Sequence, residues 1–552
     1  MPRPPGVYRL KLGPIVGHTD DHSTIIWIQV FDDPRNYELR VHGAGTFAFV
    51  STELFGPLEF RTAIAVATNL RPDWQYRYKV LRRGRVITNG KGSFRTMPDP
   101  ASMAPISFCV ISCNKEEADG DWKALGKFIE ESKPQFVLMT GDQIYLDEGE
   151  RNMFSEHRNS TPSVRRKAIA EKYRANWSRD VVREVLANVP VYMMWDDHDI
   201  RDGWGSSPAD SETMVAQHKR GRRIFDKCRA YFLDCRDAYW HFQACHNPRP
   251  SLGLDPALPN YIDGPPSPSL RVAMPYAFRC GRLVVLMLDS RGERDVFRAE
   301  IPILGSRQWQ FIDEVFARLP GDVEALAIMT PTPIASLDPE GQTQKLMGNR
   351  TDDIEAFKKG DEKNTLDLGR GDGLQAPLVI LNQPLSSVTR LVANKELNLG
   401  NFKRSNIDEA RDQWSHKYSL PEQLRLLRGA GRALFTNRTK GSARGLIFLS
   451  GDIHLGATYQ ITCSDPPYKA LSLTSSGISV VFENSDPIVD VLVSEDFEVA
   501  PGVSSSLQEL VTECNFGIVN VIPTGGGAEI QGIIAHEGNS WAYGINLEGL
   551  LV

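Results

Sequence analysis

The apolar run Phe136-Val137-Leu138-Met139-Thr140 stops abruptly at Gly141-Asp142-Gln143-Ile144-Tyr145-Leu146-Asp147. A run of this kind closed by Gly and Asp reads as a buried strand delivering side chains to a crevice at its carboxyl end. Tyr145, three residues on, can reach the same point as Asp142. Taken alone, the stretch reads equally well as a strand followed by a Gly-Asp turn. The same arrangement recurs, however. Ile111 is followed by Ser112-Cys113-Asn114-Lys115, Met194 by Trp195-Asp196-Asp197-His198-Asp199, Leu288 by Asp289-Ser290-Arg291, and Leu449 by Ser450-Gly451-Asp452-Ile453-His454. If these strand ends converge, Asp142, Asp196, Asp197, Asp199, Asp202 and Asp452 share one crevice. Carboxylates that close cannot all stay ionised without cations between them. Two metals roughly 3.5 to 4 Å apart, sharing a bridging carboxylate and a water that becomes hydroxide, would resolve the repulsion and suit in-line attack at phosphorus.

The elements that must position these residues are legible as texture. A chain of 552 residues is too long for one core, so two or more domains are expected. Up to about Arg95, short alternating runs (Thr24 to Val30, Glu38 to Val41, Thr62 to Val66, Tyr76 to Val80) separated by Pro, Gly and Asp indicate a small antiparallel β-sandwich. Asn69-Leu70-Arg71-Pro72 ahead of the Tyr-x-Tyr strand is similar to a corner of immunoglobulin-like and fibronectin-like modules. The proline-rich linker Thr96 to Ser102 closes this domain, taken as residues 1–100.

From residue 101 to 552 apolar runs alternate with helical patterns, which predicts an α/β domain with its site in the loops after the strands. Strands are expected at Ile106 to Ile111, up to Thr140, at Val189 to Trp195, Leu283 to Leu288, Ala325 to Met329 and Leu446 to Ser450. Helices are expected near Asp121 to Ser132 and from Pro162 to Ala187, the latter with Val164, Ala168, Tyr173 and Trp177 on one face and Ser or Thr as its cap. Ala335 to Pro377, including Met347 to Arg350, reads as a solvated loop or an insertion over the site mouth. Asn515 to Ile522, Glu529 to Ala535 and Trp541 to Leu547 read as an antiparallel hairpin assembly.

Composition removes several function classes. A net charge of -6 gives no basic footprint, so no nucleic-acid partner is expected. The eight cysteines form no Cys-x-x-Cys pair, which argues against zinc knuckles and a disulfide framework. With neither a long apolar span nor an apolar leader, the expectation is a cytoplasmic protein with no membrane partner.

Gly141-Asp142-Gln143-Ile144-Tyr145 resembles the Gly-Asp-x-x-Tyr motif of purple acid phosphatases and of the alkaline phosphatase D family, within the calcineurin-like metallophosphoesterase superfamily. Trp195-Asp196-Asp197-His198-Asp199 and Ser450-Gly451-Asp452-Ile453-His454 resemble that family's later metal motifs. Leu288 to Arg291, Leu304 to Trp309 and Asp412-Gln413-Trp414 are supporting matches, and the resemblance covers most of the chain. It implies a metallophosphoesterase β-sandwich flanked by helices and a metal-dependent phosphoesterase that attacks phosphomonoesters or phosphodiesters with metal-activated hydroxide.

It also implies Asp142 as the bridging ligand, with Tyr145, His454 and Cys113 on the first metal. Asp197 and Asp452 would hold the second, and His198 would be the acid for the leaving group. A phenolate and a thiolate beside imidazole suit Fe3+, because Tyr near pKa 10 yields its proton only to a strong Lewis acid. The carboxylate site suits a hard cation, Ca2+ by resemblance, with zinc, manganese or magnesium as other candidates. Arg291 and Arg294 are candidate phosphate clamps or structural ion pairs, and Trp204 a pocket wall or a core filler.

The sequence departs from the pattern at Ile328 to Pro333, where the superfamily's further histidine is absent, and it begins without the twin-arginine signal of exported members. The expected substrate is a small phosphate ester. The rival reading is a catalytically weak protein that binds a phosphorylated ligand on the same scaffold, and a nuclease would need a basic groove that the composition does not advertise.

Overall fold

The alternating runs before Pro98 form two four-stranded antiparallel sheets in the computed structural model, which describes residues 9–52, 60–148, 152–249, 258, 272–341, 344, 351–366, 411–436, 444–480, 493–525, 527–537 and 539–545. One sheet orders Leu12–Thr19, Thr24–Gln29, Thr62–Ala67 and Val50–Ser51. The other orders Gly45–Ala48, Tyr37–Val41, Gln75–Arg82 and Arg85–Arg95. Val16, Ile26, Ile28, Leu39, Val80 and Phe94 fill the space between them. The residues alternating with these, Ile15, Ile25 and Trp27, join the larger core built by the rest of the chain instead. The Leu12–Thr19 and Thr24–Gln29 strands of this sheet are therefore buried at every position, on both faces. Each such large apolar side chain contributes roughly 1.5–3 kcal/mol by leaving water.

A polar pin accompanies that apolar contact. His241, in the helix Arg222–Phe242, places Nδ1 3.0 Å from the Thr62 hydroxyl, packs its ring 4.8 Å from Phe60, and accepts the Trp27 indole N–H on its carbonyl at 2.8 Å. Burial, reinforced by Arg166, lowers its imidazole to about 3. A histidine held neutral in this way costs nothing above its unfolded value of 6.5. As pH falls through that value the unfolded chain takes up a proton that the folded chain refuses, and stability drops until the folded value is reached. Between pH 7 and pH 5 this amounts to about 2 kcal/mol. His241→Asn is expected to lose that much less stability over the interval than the parent protein, as measured by urea midpoints at the two pH values.

Beyond Pro98 the chain holds two mixed sheets among the described residues. In the first, Val191–Met193, Phe136–Met139 and Ile106–Ile111 run parallel. Phe516–Pro523 then pairs antiparallel with Ile106–Ile111, followed by Ala528–His536 and Asn539–Ile545. In the second, Leu283–Met287, Ala325–Met329, Gly445–Ser450 and Pro467–Ser475 run parallel, with Tyr276–Cys280 on one edge and Gly456–Ser464, Val503–Val511 and Asp496–Ala500 on the other.

Alternation assigns the faces of the second sheet. Val285, Met287, Ala327, Met329 and Leu449 meet Phe108, Val110 and Ile518 between the sheets. Val284, Leu286 and Leu326 face the helices Gly305–Arg318 and Leu420–Gly431. Two parallel strand sets thus bring their carboxyl ends to one line. The approach there is so close that a Cβ on Gly451 would lie 2.3 Å from the Ser112 hydroxyl.

Two expectations need correction. Pro162 to Ala187 is two helices, Pro162–Trp177 and Asp180–Asn188, because Arg179 leaves the helical path and hydrogen-bonds through its guanidinium to Asn114 and Asn176. Val164 is 47% exposed, and Arg165, Ile169, Tyr173 and Trp177 are buried in its place, since Arg165 pairs with buried Asp234 at 2.5 Å. Thr161 stands at the cap position without a side-chain capping bond.

Part of the presumed loop after Ala335 is also helical. Asp352–Lys359 and Glu362–Leu366 pack down, with Phe357 fully buried and Asp353 paired to Arg411 at 2.6 Å. Met347 to Arg350 and residues 367–377 lie outside the described residues. No helix among those described is long and apolar enough to cross a membrane.

Candidate metal centre

Four strand ends supply the cluster, and three of them do so through an unusual backbone. Cys113, Asp142, Asp452 and His454 all have positive φ, at 58°, 54°, 74° and 55°. Side chains in this left-handed region cost of order 1–3 kcal/mol each and persist where the surroundings over-determine them. Here those surroundings include the hydrogen bonds from Cys113 N–H to the Gly141 carbonyl, from Asn114 N–H to the Asp142 carbonyl, and from His454 N–H to the Ser476 hydroxyl. The strain turns each side chain out of its strand direction and toward a common point.

At that point the Cys113 thiol lies 3.5 Å from Asp142 Oδ2, and the Tyr145 hydroxyl lies 3.4 Å from the same oxygen and 2.9 Å from His454 Nε2. One ligand atom each from Cys113, Asp142 and His454 falls within 4.8 Å of the others. Asp142 also belongs to a second group, with Asp196, Asp197 and Asp452, under the same limit. Asp142 is therefore the shared member of a mixed sulfur, phenol and imidazole set and of an all-carboxylate set. Cys113 and Asp142 are fully buried and Tyr145 nearly so, whereas Asp452 and His454 are half-buried, so the cluster opens on their side.

Metal-free, this centre is electrostatically frustrated. Burial, then the Cys113 and carboxylate charges around it, holds Asp142 well above the usual carboxylate range, and burial with Asp196 and Asp197 does the same to Asp452. Burial likewise pushes the Cys113 thiol and the Tyr145 phenol up and lowers His454 to about 4. Asp197 goes the other way. Burial opposes its charge, but Arg291, His198 and the backbone N–H groups of Gly203 and His198 outweigh it. Groups that resist ionisation while their donor atoms converge fit a site completed by cations, which supply the missing positive charge.

His198 faces this cluster from a fixed position. Its Nδ1 is 2.8 Å from Asp147 Oδ1, while Asp147 Oδ2 accepts the Asp202 N–H at 2.6 Å. Its ring packs 4.3 Å from that of Tyr145. Burial opposes protonation, but Asp147, Asp142 and Asp197 together raise its imidazole well above 6.5. A histidine held through Nδ1 in this way has its ring orientation fixed.

Residues 108–484 match the PhoD-like phosphatase family. The chain belongs to that family. A solved structure of PhoD aligns over 100% of this chain and 95% of its own, with a TM-score of 0.57 at 15% identity, which shows a shared fold. A purple acid phosphatase, PPD1 from yellow lupin seeds, aligns over 96% of this chain and 73% of its own, with a TM-score of 0.45 at 10% identity. No curated protein matches the sequence. The family is one of phosphatases, which places this PhoD-like chain among hydrolases of phosphate esters.

Within this PhoD-like centre not every candidate faces the crevice. Arg291 is fully buried, with Nη1 and Nη2 on Asp412 at 2.6 and 2.7 Å and Nε on Asp196. Arg294 is also fully buried, 3.2 Å from both the Ser206 hydroxyl and Asp412. Neither is a phosphate clamp, because both guanidiniums are committed to internal carboxylates. Trp204 stacks on Phe232 at 4.8 Å with the Arg201 guanidinium 5.8 Å from its ring, so it fills the core and does not line the pocket. Asp199 turns away from the cluster and braces the loops, accepting from the N–H groups of Asp196 and Gln143 and from the Gln243 amide.

Three participants were not singled out from the sequence. Asp147 stood in the opening stretch without a role, and a search for a carboxylate partner to His198 is the signal that could have found it. Ser476, whose hydroxyl is 3.0 Å from the Cys113 thiol, follows a strand with no motif around it. Asp412 was part of a supporting match and proves to be the main anchor of Arg291.

Proposed function

We propose that the chain hydrolyses phosphomonoesters or phosphodiesters at this centre, with Fe3+ held by Cys113, Tyr145, His454 and Asp142 and a hard divalent cation, Ca2+ by family resemblance, held by Asp142, Asp197 and Asp452. The observation that carries this reading is the single carboxylate, Asp142, shared between two donor sets of different chemistry. When bound, the cations would stabilise charge on phosphoryl oxygens and lower the pKa of a water so that hydroxide is available as the nucleophile.

The chain's own residues do the rest. Asp147 fixes the His198 ring, and His198 holds a proton at Nε2 for the departing alcohol. A protein that only bound a phosphorylated ligand could use the same imidazole to hold a phosphate oxygen, and the leaving-group dependence of turnover separates the two roles.

The test combines elemental analysis with turnover of p-nitrophenyl phosphate and its bis ester. One iron per chain, a visible band lost in Tyr145→Phe, and hydrolysis of at least one ester are expected. A colourless, iron-free protein that was fully active would overturn the first-site assignment. Metal binding with no turnover would favour the binding-protein reading.

A further inference from the structure

Asp196 was grouped with the acidic cluster but given no ligand role, and it differs from its neighbours in one respect. It is fully buried, its Oδ1 bonds Arg291 Nε, and its Oδ2 has no hydrogen-bond partner among the described residues. A buried carboxylate oxygen left unpaired in a low-dielectric interior is costly. Asp196 also contributes an oxygen to the group, formed with Asp142, Asp197 and Asp452, whose members lie within 4.8 Å of one another. A hard cation that takes 6–8 oxygen ligands has room for that fourth carboxylate.

Arg291 is the complement of this arrangement. Asp412 grips it through both terminal nitrogens, and Thr332, in the turn where the superfamily's histidine is absent, offers its hydroxyl at 3.3 Å. The guanidinium is therefore fixed, 3.7 Å from Asp197 and 4.0 Å from Asp452. A positive charge locked there repels any cation sharing those carboxylates.

Resting on the two-cation reading above, we propose that Asp196 is a fourth carboxylate ligand of the second cation and that Arg291 is the fixed counter-charge that makes this site the weaker and more exchangeable of the two. The two residues act in opposite directions. Asp196 adds to the hold on the ion, and Arg291 limits it. Loss or exchange of metal then begins at the carboxylate site while the Cys113, Tyr145 and His454 site stays filled.

The test is calorimetric titration of Ca2+, and separately of Mn2+, into protein whose first-site metal content is fixed by elemental analysis. Asp196→Asn is expected to bind the second ion at least tenfold more weakly, with first-site content unchanged. Because Asp196→Asn also removes one of Arg291's partners, the same titration on Arg291→Gln supplies an independent readout, expected to be at least fivefold tighter. Affinities within twofold of the parent in either variant, or weaker binding in Arg291→Gln, overturn the proposal and leave the two-cation reading intact. A parent protein that binds neither ion overturns both.

Discussion

Asp142→Asn is expected to lower kcat/KM by about a thousandfold, ~4 kcal/mol of transition-state stabilisation, because it removes the one carboxylate common to both donor sets. The loss should come from chemistry and not from folding. The position is held by backbone contacts that the substitution leaves alone, from Asn114 N–H to its carbonyl and from Cys113 N–H to the preceding carbonyl. In the metal-free state Asp142 resists ionisation, so an amide of the same shape relieves a buried group instead of creating one. With chelator present the variant should therefore melt no lower than the parent, and with metals supplied it should hold less of both. A variant with near-parental kcat/KM would show that Asp142 is not the bridge.

The second large effect is expected from His198→Asn, a fall in kcat of about a hundredfold or more on esters with poor leaving groups, within the range general-acid catalysis supplies. A dinitrophenyl ester, whose leaving group departs without a proton, should lose far less. Metal content is the necessary control, since His198 bonds Asp147 through Nδ1 but its ring also packs on Tyr145 and has a nitrogen within 4.8 Å of ligand atoms of Asp142 and Asp197; unchanged content with the leaving-group dependence is the expected result. Asp147→Asn should show the same leaving-group dependence with a smaller loss. A uniform fall across leaving groups would assign His198 to ground-state binding.

What could be read in the sequence was whatever repeats along the chain. Cys113, Asp142, Asp197, Asp452 and His454 stood out because each follows an apolar run, and parallel strands in an α/β fold send such positions to one edge. The period-two runs of the first hundred residues likewise announced a sandwich. That the Thr24–Gln29 strand is buried on both faces was not read from the alternating pattern, although the unbroken Ile25-Ile26-Trp27-Ile28 carries that signal.

Partnerships made across the fold were not legible. Arg291 after a strand is compatible with a phosphate clamp or with an ion pair, and only its burial against Asp412 and Asp196 decides between them. Asp147 has no neighbour in sequence that marks it as the holder of His198. Val164 was misplaced because a hydrophobic period cannot foresee that Arg165 turns inward to meet Asp234.

The Ile106–Ile111 strand, which carries Cys113 at its end, has the much later Phe516–Pro523 strand as its partner on one side, and Asn515 just ahead of it ties the Ser475 hydroxyl and the Ser476 carbonyl. While the chain emerges from the ribosome, that edge stays open and the second half of the ligand set does not yet exist. The centre is thus among the last parts of the molecule to form.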